Sequence, residues 1–447
     1  MDRVPPELLL HVFQFLDTRA PSQERLHEQP NNDMLDIPSI VIRTLKTVSL
    51  VRKSWRILVL PILFRHILWR PKISSLSAFT LNPIPLLRFL EDHQLDRAVA
   101  TFTMVVDFVD KEANARRMTP EIRSVDLEWL WDQLFGVIDP LRFTIIAPPT
   151  TLAAFMSRML FLDDAWSFSI PYHILSLARA IRGDCHEGPL DGLGEASPPN
   201  PQIPPPDTTR ASQSTALAAA SSTSLATRLR RPPACHLFTI RPWTSILLNE
   251  GSSTRVYRTY EFFHRRPPSM LGALLGCEEY PNDVPLIPPT IVDFNYIAIF
   301  PLSSHVDVLL QHLPRLRRLF IQLTPRPGNQ ILQDGDEMRH IDLADMWMER
   351  DNVYNALVEE ILFAGAAPAL AILPHGSRNW ATLRVFECGD VADRSAWDQA
   401  TEIIEESGVK GWKVGREGVL VNVGDKGDFP IVDREIDGHA SPRNLPG

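Results

Sequence analysis

The sequence predicts a mixed α/β protein, with a short three-helix module at the amino terminus and a larger, irregular α/β body behind it. Short amphipathic patterns fill residues 1–72, and helical stretches then alternate with runs of branched and aromatic residues. The length of 447 residues exceeds one ordinary core of about 100 to 200 residues. Hydrophobic and charged fractions of 44% and 22% are typical of a folded soluble protein.

Composition divides the chain into segments. We predict a helical module at 1–72 with a looped insertion at 18–38, a first part of the body at 73–182, a disordered insertion at 183–234, a second part of the body at 235–433, and a flexible tail at 434–447. The 183–234 insertion is rich in Pro, Ser, Thr and Ala, so few of its side chains can offset the entropy lost on ordering.

The predicted module contains three short helices. The first covers residues 5–16 and carries one apolar face, at Leu8, Leu9, Val12, Phe13 and Leu16. The second covers the apolar run at 42–51. The third runs through 55–67, where Pro61 should stop or kink it, because proline lacks a backbone donor. Helices this short gain most of their stability from packing.

The body is predicted to contain parallel strands linked by helices. The candidate strands are 100–108, 141–146, 237–240, 291–300, 316–323 and 383–387. The candidate helices are 86–91, 120–137, 151–162, 303–312, 343–363 and 395–406. Strands that alternate with helices in this way favour helical crossovers.

Motifs for catalysis or metal binding are missing from the sequence. It contains no phosphate-binding loop, no His-Glu-x-x-His helix and no Gly-x-Ser-x-Gly elbow. The cysteines are widely scattered, and His305 with His312 gives only two metal ligands. The adjacent Cys185 and His186 lie at the edge of the predicted disordered insertion. We therefore predict no catalytic residue, no metal site and no cofactor, and expect that the chain is not an enzyme.

Charge and hydropathy limit the partners. Residues 41–72 carry eight basic and no acidic side chains in a chain of net charge −9, a pattern that fits an acidic protein, nucleic acid, anionic lipid or simply a solvated helix face. No apolar run approaches the roughly 20 residues of a membrane span, and no secretory signal begins the chain. We expect a cytoplasmic or nuclear protein that binds neither membrane nor nucleic acid.

The order of residues in the module carries a family resemblance. It opens Val4-Pro5-Pro6-Glu7-Leu8-Leu9, continues with Val12-Phe13 and Leu16-Asp17, and closes Ser49-Leu50-Val51-Arg52-Lys53-Ser54-Trp55. This order resembles the F-box family, here of the fungal type, whose pattern opens Leu-Pro-x-Glu-Leu-Leu and closes Ser-Leu-Val-Cys-x-x-Trp. Val4 and Arg52 depart from that pattern, and residues 18–38 separate halves that normally lie almost adjacent.

The resemblance implies a substrate receptor of a cullin-RING (SCF-type) ubiquitin ligase, in which the module binds the acidic adaptor subunit and the body binds an unknown target protein. The adaptor-binding residues it implies are Pro5, Leu8, Leu9, Phe13, Leu16, Leu50, Val51 and Trp55. The alternative is a non-catalytic scaffold protein whose F-box-like helices dock only within the chain. An enzyme built on the α/β body is a third candidate, which no motif supports.

Residues 313–323 resemble a strand of a leucine-rich repeat, and 382–387 and 140–145 resemble poorer copies. Their spacing is irregular, so a non-repetitive α/β domain is the rival interpretation. Side-chain alternation in a strand then points Leu319, Ile321 and Leu323 toward covering helices. It leaves a candidate target-binding patch on the open surface, composed of Arg318, Phe320, Gln322, Arg384 and Phe386. The alternative is that both phenylalanine rings pack beneath a loop.

Overall fold

The computed structural model describes residues 4–36, 39–73, 75, 77, 80–108, 122–160, 172–182, 235–258, 269–279, 282–366, 377–390, 394–406 and 411–423. These residues form a mixed α/β structure, as predicted. The chain divides into two units, the first made of 1–250 and 268–291 and the second of 251–267 and 292–447. The predicted insertion at 183–234 and the tail at 434–447 lie outside the described residues.

Four helices occupy the amino-terminal part of the first unit: α1 (Pro6–Gln14), α2 (Pro21–Glu24), α3 (Ser39–Val51) and α4 (Lys53–Leu63). Pro6 stands in the first turn of α1, where a missing N–H costs nothing. Arg52, in extended conformation, separates α3 from α4. The three predicted helices are present, and α2 is an additional turn inside the segment predicted as a loop.

The third helix is shorter than the sequence suggested. It ends at Leu63, two residues after Pro61, and His66–Trp69 form strand β1 instead of a last helical turn. β1 pairs in parallel with Thr101–Met104, so its backbone groups gain sheet partners that a helix end lacks. Pairing with a strand distant in sequence therefore overrides the local helical pattern.

The sheet of the first unit continues from β1 through β2 (Thr101–Val105), β3 (Arg142–Ala147), β4 (His173–Ala178) and β5 (Ser245–Ser252). β1, β2 and β3 run parallel, whereas β4 is antiparallel to both β3 and β5. Helices α5 (Ile84–Asp92) and α6 (Ser124–Val137) form the crossovers between the parallel strands, and α7 (Pro149–Phe155) follows β3. The predicted crossover arrangement is confirmed for these strands, and the antiparallel pairs were not anticipated.

The strand predicted at 237–240 is wrong. His236–Phe238 form a 3₁₀ turn, and the N–H groups of Thr239 and Ile240 both donate back to the His236 carbonyl. The chain enters the sheet only at Ser245, after Pro242. Leu237 and Phe238 are buried in this turn, and a short apolar pattern does not distinguish a buried turn from a strand.

The core of the first unit lies against β2, β3 and β4, whose residues are nearly all buried. Strands covered on both faces carry continuous apolar runs. Trp131 of α6 meets Phe143 of β3 edge to face, with ring centroids 5.7 Å apart, and Phe135 meets the same ring at 5.2 Å. Aromatic side chains thus attach α6 to the sheet.

The residues described between 269 and 291 also belong to the first unit, and hydrogen bonds to buried polar side chains attach them to it. The Glu250 carboxylate accepts from the N–H groups of Met270 (2.7 Å) and Leu271 (3.2 Å), at the start of α8 (Met270–Leu275). The Arg158 guanidinium donates to the carbonyls of Ala273 and Val284. Charge-assisted bonds of this kind hold irregular backbone in place.

The second unit contains five strands. They lie side by side in the order β6 (Asp293–Ile299), β7 (Arg318–Gln322), β8 (Val385–Cys388), β10 (Val419–Asn422) and β9 (Trp412–Val414). β6, β7 and β8 run parallel, and the last two strands are antiparallel. Its helices are α9 (Ser303–Gln311), α10 (Leu343–Ala366), α11 (Ser377–Trp380) and α12 (Arg394–Glu406).

The parallel pairs begin in the same way in both units. The carbonyl just before one strand accepts two consecutive N–H groups from the start of the next strand. The acceptors and their donors are Arg65 with Ala100 and Thr101, Ala100 with Leu141 and Arg142, Val292 with Arg317 and Arg318, and Arg317 with Arg384 and Val385. The same hydrogen-bond pattern therefore recurs at the start of each of these strand pairs.

Candidate protein-binding surface

Helix α1 and the two residues that follow it carry two apolar stripes. Leu9, Phe13 and Leu16 point inward and pack in the core of the module. Leu8, Val12 and Phe15 have the same i, i+4, i+7 spacing one residue earlier, and all three are exposed. A surface helix usually buries one stripe and faces water with the other, so a second apolar stripe marks a surface suited to a partner.

The core of the module explains several of the predicted site residues. Phe13, Leu45, Val59 and Ile62 are buried together, and Leu9, Leu16 and Trp55 pack around them half-buried. Phe13 and Trp55 make an edge-to-face contact. Four of the predicted adaptor-binding residues thus hold α1, α3 and α4 together: Leu9, Phe13, Leu16 and Trp55.

The other four predicted adaptor-binding residues are exposed. Pro5 is exposed, and Leu8, Leu50 and Val51 keep 56%, 78% and 61% of their surface accessible. Covering each such side chain would contribute on the order of 1.5 to 3 kcal/mol. We call these exposed residues of the module the outer apolar face.

Sequence reasoning missed three members of the outer apolar face. Val12, Phe15 and Ile57 are 56%, 78% and 72% exposed. Val12 had been placed on the same face as Phe13, although the two lie about 100° apart around the helix. Counting i, i+4 and i+7 from Leu8 would have separated the stripes.

Basic side chains occur on the helices that carry part of the outer apolar face. Five exposed cations lie on or between α3 and α4: Arg43, Lys46, Arg52, Lys53 and Arg56. Two further cations of the basic block form ion pairs within the chain, Arg65 with Asp17 at 3.1 Å and Arg70 with Asp33 at 3.3 Å. The five cations on or between α3 and α4 are exposed to solvent.

The predicted target-binding patch does not share one face of the sheet. β7 and β8 pair with Leu319 opposite Phe386 and Phe320 opposite Glu387. Directly paired residues point to the same side. Phe386 therefore lies on the Leu319 side, away from Phe320, and this part of the prediction is wrong by one residue of register.

The expected exposure of the patch is also wrong. Phe320 and Phe386 are only 7% and 4% exposed, and Gln322 is buried. The backbone after β8 covers Phe320 and Gln322 so closely that a Cβ at Gly389 would lie 2.7 Å from each side chain. Arg384 is half-buried.

Arg318 of the same patch is engaged in ion pairs and hydrogen bonds. Its guanidinium donates to Asp293 at 2.9 Å and Asn295 at 3.2 Å on β6, and to Glu387 at 2.5 Å on β8. Three acceptors on the flanking strands satisfy most of the donors of this side chain. Arg318 links strands rather than presenting a free cation to a ligand.

A buried polar cluster lies in the second unit. Asp390 accepts from the backbone N–H groups of Leu323 (2.9 Å) and Thr324 (3.0 Å) and from the Tyr354 hydroxyl (2.7 Å). Arg350 lies 3.7 Å from the same carboxylate. Burial raises the pKa of the adjacent Cys388 thiol to about 12, so this thiol stays protonated at neutral pH.

Cys235 and His305, which the sequence offered as possible reactive or metal-binding groups, are buried. Burial raises the pKa of Cys235 to about 11, and His305 is buried in α9. In the described ranges, no group of three or more His, Cys, Asp or Glu side chains is arranged to hold a metal. Among the helices described, none has both the length and the apolar character needed to cross a membrane.

Comparisons with protein-family models, with curated proteins and with solved structures each found no match to this chain.

Proposed function

We propose that the protein is a substrate receptor of a cullin-RING ubiquitin ligase, whose amino-terminal module binds the adaptor subunit. The observation that carries the proposal is that some apolar residues of the module form its core while others are exposed to solvent. Phe13 and Trp55 hold the helices together, while Leu8, Leu50 and Val51 are exposed at positions where the F-box resemblance implies adaptor contacts. A partner that covers these side chains gains hydrophobic free energy.

The same exposure argues against the scaffold alternative. A module that docked only within its own chain would bury the apolar residues of its outer face, as Phe13 is buried. Leu50, Phe15 and Ile57 instead keep more than two thirds of their surface accessible. Exposed apolar side chains concentrated on one small module are typical of interaction sites.

The charges support an acidic partner. The exposed cations on α3 and α4 flank Leu50 and Val51. A protein interface usually has an apolar core and a polar rim, and exposed cations next to exposed apolar side chains in the sequence fit that pattern. Complementary charge would speed association and orient the partner more than it would raise affinity.

For the body, we propose an irregular, leucine-rich-repeat-like arrangement that presents a target protein. Its support is the strand entry that recurs at each described parallel pair. Helix α11 also reaches back to the preceding repeat, because Asn379 donates to the Leu313 carbonyl and Trp380 to the Leu310 carbonyl. The paired positions His66 and Thr101, Thr101 and Arg142, Asp293 and Arg318, and Arg318 and Val385 are unequally spaced along the chain, so the repeat is degenerate.

In this function the protein performs no bond-breaking step. It holds a target near the ligase, and the rate gain comes from proximity. The proposal implies two protein partners, the adaptor subunit and a target of unknown identity, and a cytoplasmic or nuclear location.

The test is binding of the full chain to a purified adaptor subunit. We expect capture of the adaptor by the unmodified protein and at least about a tenfold loss of affinity in Leu8→Asp with Leu50→Asp, since each buried carboxylate costs several kcal/mol. Val125→Asp is the matched control, because Val125 is 70% exposed on α6 and lies outside the module. Failure of the unmodified chain to bind, or equal loss in the control, would reject the proposal.

A further inference from the structure

Residues 17–36 follow α1, and nearly all of them lie in the segment 18–38 that the sequence predicted as a looped insertion. We call this segment the strap. Despite its polar composition, the strap buries four apolar side chains almost completely: Ala20, Leu26, Met34 and Leu35, each 2% exposed. A surface loop normally leaves such side chains accessible. The strap is therefore packed into the first unit.

Arg25 holds the strap in its own shape. Its guanidinium donates to Glu28 at 2.7 to 3.1 Å and to the Met34 carbonyl at 2.6 Å. One side chain thus connects the middle of the segment with its carboxyl-terminal end. Bidentate charge-assisted bonds of this type are among the stronger ones in proteins.

A single buried amide fastens the strap to the sheet. Asn249 on β5 is fully buried, and its Nδ2 donates to the carbonyls of both Leu26 and Glu28 at 2.8 Å. These partners are more than two hundred positions earlier in the chain. Two carbonyls, of buried Leu26 and half-buried Glu28, depend on this one donor group, and leaving a buried carbonyl unpaired is costly.

Ion pairs fasten the strap at its two ends to residues that flank β1. Arg65 pairs with Asp17 at 3.1 Å, where the strap begins. Arg70 donates to the Asn32 carbonyl at 2.6 Å and pairs with Asp33 and Asp36, where the strap ends. Because β1 is itself paired with β2, both ends are tied to the sheet.

We infer that the strap fixes the amino-terminal module to the sheet of the first unit and that Asn249 acts as a positioning residue, so that losing this attachment lets the module open while the sheet stays closed. The inference does not depend on what binds the outer apolar face. It concerns how that face is oriented, since a module held at β5 and on both sides of β1 keeps one orientation relative to the sheet.

Hydrogen exchange of the full chain, followed by mass spectrometry, tests the inference. Asn249→Leu keeps the approximate size of the side chain and removes the donor. We expect exchange in the strap and in α1 to accelerate by about tenfold or more, the change that loss of about one buried hydrogen bond produces in an opening equilibrium, while β2 and β3 stay protected. Unchanged exchange in α1, or equal acceleration in β2 and β3, would overturn the inference.

Two further variants keep the test decisive if Asn249→Leu folds poorly. Arg70→Gln removes the surface ion pairs at the end of the strap without disturbing the core, and should accelerate exchange in the strap and α1 in the same pattern to a smaller degree. Asn282→Leu is the matched control, because Asn282 is a buried amide that binds the Met159 backbone elsewhere in the first unit. It should accelerate exchange near Met159 and leave α1 unchanged, and acceleration of α1 there would also overturn the inference.

Discussion

Phe13 of α1 and Trp55 of α4 meet edge to face, with ring centroids 5.4 Å apart and planes at 61°. Phe13 is buried and Trp55 is half-buried. We expect Phe13→Ala to destabilise the module by about 3 to 5 kcal/mol, because it removes a large side chain from a packed core. Trp55→Ala should cost less, since part of the indole already faces water. Hydrogen exchange of α1, α3 and α4 in the full chain measures both effects.

Leu8→Ala is the control for that experiment. Leu8 lies on the same helix but is exposed, so the substitution should change stability by less than about 0.5 kcal/mol. A destabilisation as large as that of Phe13→Ala would mean that Leu8 is part of the core and that the outer apolar face is wrongly assigned.

Phe15 and Ile57 extend the outer apolar face beyond the residues that the sequence suggested. We expect Phe15→Asp or Ile57→Asp to weaken adaptor binding, because a carboxylate would be desolvated in the interface. Titration calorimetry with the purified adaptor measures the change in Kd. Unchanged thermal unfolding would show that the loss belongs to binding. Full affinity in both variants would restrict the interface to Leu8, Leu50 and Val51.

Gly276 and Gly136 offer a paired test of the first unit. Gly276 ends α8 with φ +72°, and a Cβ there would lie 2.2 Å from the Pro285 nitrogen, so backbone would have to move. We expect Gly276→Ala to destabilise the unit by more than about 1 kcal/mol. Gly136 lies in α6 with open space around it, and Gly136→Ala should stabilise by up to about 1 kcal/mol. Thermal unfolding of the two variants should shift in opposite directions.

Apolar patterns within one segment correctly predicted those helices and strands whose formation does not depend on distant parts of the chain. The helices at 303–312 and 343–363 and the strands at 291–300 and 316–323 were predicted from periodicity, and they are present as α9, α10, β6 and β7. In these segments the apolar spacing and the final packing agree. The mixed α/β class followed from their alternation.

What the sequence did not predict depends on partners distant in the chain. β1 is a strand because it pairs with β2, and β4 and β5 are held by antiparallel pairing across a long separation. The burial of Phe320 depends on a glycine, Gly389, that lets backbone approach the ring. On the outer apolar face, spacing within α1 was sufficient to find Val12 and Phe15, whereas the exposure of Ile57 depends on how α4 packs. No single-segment pattern contains that information.

Asp390 provides a test in pH. Its carboxyl is fully buried, and burial raises its pKa even though Tyr354, Arg350 and two backbone N–H groups favour the charged form. A carboxyl whose pKa is higher in the folded than in the unfolded chain binds more protons when folded. Its contribution to stability is therefore complete below the unfolded value of about 3.9 and is lost as the pH rises through the folded pKa.

Asp390→Asn removes this proton linkage while keeping an oxygen that accepts from Leu323 and Thr324. We expect the unfolding free energy of the unmodified protein, relative to that of the variant, to fall as the pH rises from about 4 toward 7. Urea unfolding at several pH values measures the difference, with Asp398→Asn on the exposed side of α12 as the control, which should follow the unmodified protein at every pH. A difference between the unmodified protein and Asp390→Asn that stays constant or grows with pH would mean that the ionised carboxylate is stabilised by Arg350 and the backbone donors more than burial destabilises it.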